Sequence, residues 1–392
     1  MDDVQPDPRP QFRGAYLDHA ATTPMRPEAV AAMLPYCTAE FGNPSGAYAA
    51  GRRARRALDD ARDEMAAMLG CAPGEIVFTS GGTEADNLAV LGVHARIGGT
   101  VVTTAIEHHA VLNPARRIGA RLVGATAEGL VDLDALALAL DETVTLVSVM
   151  AVNNEVGTVQ PLGDVVAAVR RAAPRALVHS DAVQAFSWCP VDSALAGCDL
   201  VSVSAHKFGG PKGAGALVVR GRAALALTPV LAGGGQERNL RPGTENVAGI
   251  VAMAAAARAT AEERAAAGAA TGVLRDRFLD RLAREVPAMV ESVPRSLTVP
   301  GHAHVRFPGV LAEELLFLLD EGGIAASAGS ACSSGAIEPS HVLRAMGWNR
   351  PAAREAVRFT LGPETTADDI DGAADAVVAA VGSLTRLSAM GD

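Results

Sequence analysis

Asp199-Leu-Val-Ser-Val-Ser204-Ala-His206-Lys207-Phe-Gly209-Gly210-Pro211-Lys212-Gly213-Ala-Gly215 runs from a short apolar segment straight into a histidine, a lysine and a glycine-dense loop. The β-branched run reads as a strand and the glycines as a turn, so a strand delivers Lys207 to a crowded, flexible corner. An amine in such a corner is desolvated enough to lose its proton and mobile enough to swing between a cofactor aldehyde and a substrate carbon. Lys207 is therefore a candidate Schiff-base lysine. Taken alone, the stretch reads equally well as a solvated surface turn, and the rest of the chain has to decide.

On both sides of it, from about residue 75, β-branched runs alternate with alanine-rich helical stretches. The runs are 75–80, 100–104, 143–150, 176–180, 199–204 and 215–220. That rhythm predicts an α/β fold: a large domain with a mainly parallel sheet flanked by helices. Ligands of such sheets collect beyond the carboxyl ends of the strands. Residues 244–285 carry a long alanine- and arginine-rich helical pattern. Beyond it the rhythm turns α+β, with short strands near 303–307 and 356–360 and helices over 312–320 and 366–381. The expected organisation is a flexible tail (1–14), a large domain (15–264) whose segment 15–35 is free to pack on its neighbour, and a smaller α+β domain (265–392) carrying the loop of Cys332.

A chain of 392 residues exceeds what one hydrophobic core usually serves, which agrees with two domains. The net charge of -10 gives none of the basic footprint that nucleic acid or an anionic membrane requires. No apolar run reaches membrane-spanning length, and the acidic, proline-rich start reads as a loose tail and no secretion signal. Five widely separated cysteines without a C-x-x-C pair predict a reducing, cytoplasmic setting.

Four further stretches carry chemistry. Thr79-Ser80-Gly81-Gly82-Thr83-Glu84 joins a strand to a helix and offers backbone N–H groups and a hydroxyl to a phosphate; an ordinary glycine turn capped by Thr83 is the plainer reading. His179-Ser180-Asp181-Ala182-Val183-Gln184 ends another strand in a carboxylate, which either caps a helix or pairs with a pyridinium nitrogen. A lysine together with such an acid is the pair that pyridoxal phosphate needs. Glu107-His108-His109 places a histidine able to stack on a flat ring or move protons, while paired histidines without matching ligands argue against a metal. Ser327-Ala-Gly329-Ser330-Ala331-Cys332-Ser333-Ser334-Gly335 sets one cysteine in a small-residue loop. Exposure there favours a nucleophile, although a resting pKa near ~8.5 needs local lowering.

Read in order, these pieces resemble the NifS/IscS-type cysteine desulfurases of the class V aminotransferase group, fold-type I pyridoxal-phosphate enzymes. The matches span Tyr16 to Ile370. They include Tyr16-Leu-Asp-His-Ala-Ala-Thr-Thr-Pro24, Thr79-Ser-Gly-Gly-Thr-Glu84, Asn153-Asn154-Glu155-Val-Gly157, Ser204-Ala-His-Lys207, Gly243-Thr-Glu-Asn-Val247 and Val357-Arg-Phe-Thr-Leu-Gly362. The resemblance implies that Gly82, Thr83, Ser204 and His206 lie at the cofactor phosphate and that Thr244 reaches the phosphate of a partner subunit, so a homodimer follows. It implies Asp181 at the pyridine nitrogen, Gln184 at the ring hydroxyl, His108 stacked on the ring, and Asn154 and Arg358 on the substrate carboxylate. Arg suits that task because its planar fork binds a carboxylate through two hydrogen bonds. The long stretch between Cys332 and Ser340-His341 is similar to the group of desulfurases with an extended cysteine loop. Asn239 and Pro242 depart from the glycine and serine of the family pattern.

The reading that results is a pyridoxal-phosphate cysteine desulfurase that turns L-cysteine into L-alanine. Lys207, Cys332 and His108 would be its catalytic residues, and the sulfur would leave as a persulfide on Cys332. A sulfur-acceptor protein is implied, an iron–sulfur scaffold being one class of acceptor. The rival within the fold is an aminotransferase or C–S lyase in which Cys332 is a bystander. A catalytically idle scaffold that binds sulfur-transfer proteins is the rival from another class, and the intact Lys207, Asp181 and His108 speak against it.

Overall fold

The computed structural model describes residues 14–329 and 339–391. Cys332 and, except for Gly14, the expected tail lie outside the described residues. The strands are β1 (Ala15–Tyr16), β2 (Ile76–Thr79), β3 (Thr100–Thr104), β4 (Arg121–Val123), β5 (Val144–Ser148), β6 (Leu177–Asp181), β7 (Leu200–Ser204), β8 (Gly215–Val219), β9 (Val290–Glu291), β10 (His302–Arg306), β11 (Ile324–Ala325) and β12 (Ala356–Thr360). Between them run helices α1 (Pro27–Cys37), α2 (Ala49–Leu69), α3 (Gly82–Ile97), α4 (His109–Arg117), α5 (Leu133–Ala139), α6 (Leu162–Ala172), α7 (Val191–Ala194), α8 (Val247–Glu285), α9 (Ala312–Glu321), α10 (His341–Ala345), α11 (Arg350–Ala353) and α12 (Ala367–Gly391).

Seven strands form one sheet in the order β2-β8-β7-β6-β5-β3-β4. Only β8 runs against its neighbours, and the other pairings are parallel. Strands β6, β7 and β8 are buried along their whole length because helices cover both faces, which is why they read as continuous apolar runs. The edge strand β4 was not anticipated: Arg121-Leu122-Val123 is too short and too exposed to impose a period on the sequence. The last helix also runs past the expected 366–381, to Gly391.

A second core gathers around the antiparallel sheet β12-β10-β9, with Phe278, Phe307, Leu315 and Phe359 at its centre. Helix α8 serves both cores: Met253 and Ala256 pack in the first, Phe278 and Leu282 in the second. The N-terminal segment does likewise. Ala15 and Leu17 are buried in the second core and β1 pairs with β11, after which Thr23 N–H donates to the His206 carbonyl of the large sheet (3.0 Å).

The loop that resembles the inter-subunit segment holds three consecutive left-handed residues, Glu237 (φ 44°), Arg238 (φ 57°) and Asn239 (φ 66°). Asparagine tolerates that region better than most side chains, so Asn239 takes the conformation for which the family has glycine. The strain is held by a buried anchor. Arg62 Nη1 donates to Glu237 Oε2 (3.0 Å), Phe78 N–H donates to the same oxygen (2.9 Å), and the guanidinium lies over the Phe78 ring at 4.6 Å. Breaking one side of such a pair leaves a buried charge alone. Glu237→Ala is expected to lower unfolding stability by about 3 kcal/mol in denaturant titration.

Candidate active site

Beyond the carboxyl ends of β2, β3, β5, β6 and β7 lies a cleft of about 390 Å³. Gly82, Thr83, His108, Asn154, Asp181, Gln184, Ser204, His206, Lys207 and Arg358 all line it, with Ser327 and Gly329 at its margin. Residues separated by most of the chain thus share one cavity. Thr244 is exposed and does not line the cleft of its own chain, and Cys332 lies outside the described residues.

One end of the cleft is built for an anion. Gly81 (φ 151°) precedes α3 and offers no side-chain cap, so the first N–H groups of that helix are left for another acceptor. A Cβ on Gly215 would come 2.6 Å from the Gly81 Cα, so both glycines are needed for the loop to lie on β8. A Cβ on Gly82 would strike Val183 at 2.7 Å. Ser204 ends β7 beside this loop, its Oγ 3.7 Å from the Cβ position of Gly81. His206 Nδ1 meets Thr22 Oγ1 at 3.2 Å, and burial with the nearby Lys207 holds its ring neutral, the pKa falling to about 4.

Deeper in, Asp181 closes β6 and is 5% exposed. Its side chain caps no helix; Oδ1 accepts from Val183 N–H (2.9 Å) inside the turn. Burial raises its pKa to about 6, against which the Val183 hydrogen bond and Lys207 work. His108 caps α4 through Nδ1, which accepts from Ala110 N–H (3.1 Å). Burial, Lys207 and His109 lower its pKa to about 4, so a neutral, flat ring faces the cleft.

Lys207 sits in the single turn that follows β7. Its Nζ donates to the carbonyls of Ala20 and Ala21, and Gln184 Nε2 donates to the same Ala20 carbonyl (2.7 Å). Burial and the Arg358 cation bring its pKa down to about 8, while Asp181 and Asp18 pull the other way. At the opposite wall Arg358, 4% exposed, donates from Nη1 to the Asn154 carbonyl and from Nη2 to Asp18 Oδ1, both at 2.7 Å. Among the described residues its Nε and the Asn154 Oδ1 are buried without partners, a donor and an acceptor still to be met.

Four acids escaped the sequence reading as site residues: Asp18, Asp86, Glu107 and Glu155. Asp86 lines the cleft and lies 3.6 Å from His179 Nε2, whose ring also meets Ser148 Oγ (2.8 Å) and Ser202 Oγ (3.0 Å). Glu107 is fully buried, accepting from Thr104 Oγ1 (2.8 Å) and Met150 N–H (2.9 Å), and burial raises its pKa to about 8. Their signal in the sequence was a carboxylate inside an otherwise apolar or glycine-rich stretch. Of the described cysteines, burial raises Cys71 to about 11 and Cys198 to about 12, which makes both poor nucleophiles.

The family model for Aminotransferase class-V matches residues 15–372. An IscS-like cysteine desulfurase of Mycobacterium tuberculosis is 41% identical, over 95% of this chain and 97% of that relative. A solved structure titled NIFS-LIKE PROTEIN superposes with a TM-score of 0.87 at 34% identity, over 93% of this chain and 98% of that one. Another, SspA in complex with cysteine, gives 0.77 at 32% identity, over 90% and 100%. The chain belongs to the class-V aminotransferase family, and within that family to the cysteine desulfurases.

The lowered amine of Lys207 has a direct consequence. Its fraction of free base grows as pH rises through about 8, whereas an ordinary lysine waits until ~10.4. In cofactor-free protein treated with pyridoxal and borohydride, the label is expected on Lys207, rising with a midpoint near the lower value. Label on Lys212 instead, found by peptide mapping, sinks the assignment.

Proposed function

We propose that this protein converts L-cysteine to L-alanine with pyridoxal phosphate bound in the cleft, and that Cys332 keeps the sulfur atom as a persulfide. The observation that carries the reading is the meeting, in one cavity, of a buried amine of lowered pKa, a strand-end carboxyl, an uncapped helix N-terminus and a buried guanidinium. The donor set fits the cofactor: Gly82, Thr83, Ser204 and His206 toward its phosphate, Asp181 toward its ring nitrogen, Gln184 toward its hydroxyl and His108 over its face. The unpartnered Nε of Arg358 suits a substrate carboxylate, to which the Asn154 Nδ2 would also donate, while the Asn154 Oδ1 suits a donor such as the substrate amine. Thr244, exposed on its own chain, would complete the site of a partner subunit in a homodimer.

Bound pyridoxal phosphate supplies the electron sink that labilises the Cα proton and the Cβ–S bond. Lys207 Nζ takes the proton from Cα and later returns one, a role its lowered pKa suits near neutral pH. Arg358 and Asn154 hold the substrate carboxylate and so fix the Cα–H and Cβ–S bonds in place. The Cys332 thiolate takes the substrate sulfur, so that L-cysteine and one enzyme thiol become L-alanine and one enzyme persulfide. An acceptor protein then receives the sulfur. The isolated cysteines point to a reducing cytoplasm as the place where this happens. We also propose that residues 15–264 and 265–392 act as two domains joined through α8, with the N-terminal segment stitched to both.

Cys332→Ser separates the two halves of this chemistry. The variant is expected to bind cofactor and L-cysteine with the same spectral response as the parent, because those steps draw on Lys207, Asp181 and Arg358. Alanine release should fall at least ~100-fold and no persulfide should form, since a hydroxyl is a far weaker nucleophile toward sulfur. Alanine production at the parent rate would make Cys332 a bystander and favour the lyase reading. Mixing Lys207→Ala with Thr244→Ala subunits tests the shared site. Activity should return as heterodimers form with one intact site, and none returning despite proven exchange counts against it.

A further inference from the structure

We propose that Asp18 is a positioning residue for the substrate: it holds the Arg358 guanidinium from outside the cleft, so that the free N–H groups of that cation face the cavity as the seat of the substrate carboxylate. The inference rests on the proposed function, because it takes L-cysteine as the ligand and Arg358 as the group that receives its carboxylate.

The place of Asp18 follows from the backbone. It lies alongside β12, bridged in parallel to Thr360. His19 N–H donates to the Thr360 carbonyl (3.2 Å), Thr360 N–H donates to the Leu17 carbonyl (2.7 Å), and Ala20 N–H donates to Thr360 Oγ1 (2.9 Å). Arg358 precedes Thr360 by two residues on the strand, so both side chains and that of Asp18 share one face. The Asp18 carbonyl accepts from the Tyr16 hydroxyl (3.1 Å) and from Ala21 N–H (3.0 Å), which closes a turn over 18–22. Asp18 Oδ1 thereby accepts from Arg358 Nη2 at 2.7 Å. The carbonyls of Ala20 and Ala21, in that same turn, accept from Lys207 Nζ. One short turn thus fixes both nitrogen groups that a bound amino acid would meet, Arg358 at its carboxylate and Lys207 at its Cα.

A guanidinium carries its N–H donors in one rigid plane. Asp18 takes a donor on Nη2 and the Asn154 carbonyl takes one on Nη1, while among the described residues Nε is buried without a partner. A carboxylate bound through two parallel hydrogen bonds can take Nε together with a remaining N–H of an adjacent Nη. Arg358 lines the cleft and Asp18 does not, so the acid meets the cation from behind and leaves that edge to the cavity. The Arg358 side chain is 5% exposed and that of Asp18 21%, so protein partners and not water set the plane of the guanidinium. Without Asp18 the Asn154 carbonyl would be its one hydrogen-bond tether among the described residues, and the plane could turn about it.

The test uses cofactor-loaded protein and two ligands, L-cysteine and cysteamine, the second being the same amino thiol without its carboxylate. In Asp18→Ala the L-cysteine concentration that half-saturates the spectral response is expected to rise about tenfold or more, and kcat/KM for alanine release to fall at least as far, the scale set by misplacing a binding group. The cysteamine concentration that half-saturates the response should stay within about twofold of wild type. Asp18→Asn keeps an acceptor oxygen at Nη2 and drops the charge, and it should retain at least about half of the wild-type kcat/KM. Tighter L-cysteine binding in Asp18→Ala would make Asp18 a competitor for the guanidinium and overturn the proposal. Equal losses for L-cysteine and cysteamine would make its role merely structural, and Asp18→Asn falling as far as Asp18→Ala would make it one of charge; either overturns the proposal too. If Asp18→Ala fails to fold or to keep the cofactor, Asp18→Ser takes its place with the same expectations, its oxygen being too close to the backbone to reach Nη2. Should wild type release no alanine from L-cysteine, the proposed function fails, and the comparison of the two ligands still judges Asp18.

Discussion

The buried guanidinium of Arg358 is the constraint on which the rest of the site depends. It projects from β12 of the small sheet, yet its two Nη groups reach the Asn154 carbonyl of the large sheet's loops and Asp18 of the N-terminal segment. A cation so fully removed from water must be paired, and here its partners come from two distant parts of the chain. The pairing fixes where the small sheet sits against the large one, and so sets the width of the cleft between Arg358 and Lys207. The Ser327 backbone is tied to the same residue, which links the start of the cysteine-bearing stretch to the same point.

Burial also sets the protonation states in the cleft. Asp181 and Glu107 are raised, while Lys207, His108 and His206 are lowered, burial being the leading cause in each case. The result is a set of groups drawn toward neutrality near pH 7, which suits proton transfer better than a set of fully ionised side chains. Asp86 and His179 extend this behind Asp181, where the His179 ring meets Ser148 Oγ and Ser202 Oγ beside the Asp86 carboxyl. Removing water from these groups also strengthens every charge that a substrate brings in.

Close approach of backbone to backbone completes the site. Gly215 lies on the Gly81 backbone, where an added Cβ would fall 2.6 Å from the Gly81 Cα. The three left-handed residues 237–239 are held by the Arg62–Glu237 pair, while Arg241 meets Glu84 of α3 at 2.9 Å. The loop of Thr244 is thereby tied to the same helix whose N-terminus faces the cleft.

The sequence by itself determined the alternation of buried strands and helices, because a strand covered on both faces must be apolar along its length, as 200–204 and 215–219 are. It also determined the chemistry at the strand ends, since Lys207, Asp181 and the Thr79–Glu84 turn are local motifs with few physical alternatives once seen together. It could not give β4, whose three residues are too few for a period, nor the length of α12. Above all it could not reveal Asp18, Asp86, Glu107 and Glu155 as members of the site. Each is an ordinary acid in its own stretch, and only packing against residues up to 340 positions away gives its carboxyl a task, burying Asp86, Glu107 and Glu155 and pairing Asp18 with Arg358. Local pattern decides which way a chain runs and which groups a turn exposes; desolvation and long-range pairing exist only once the chain has closed on itself.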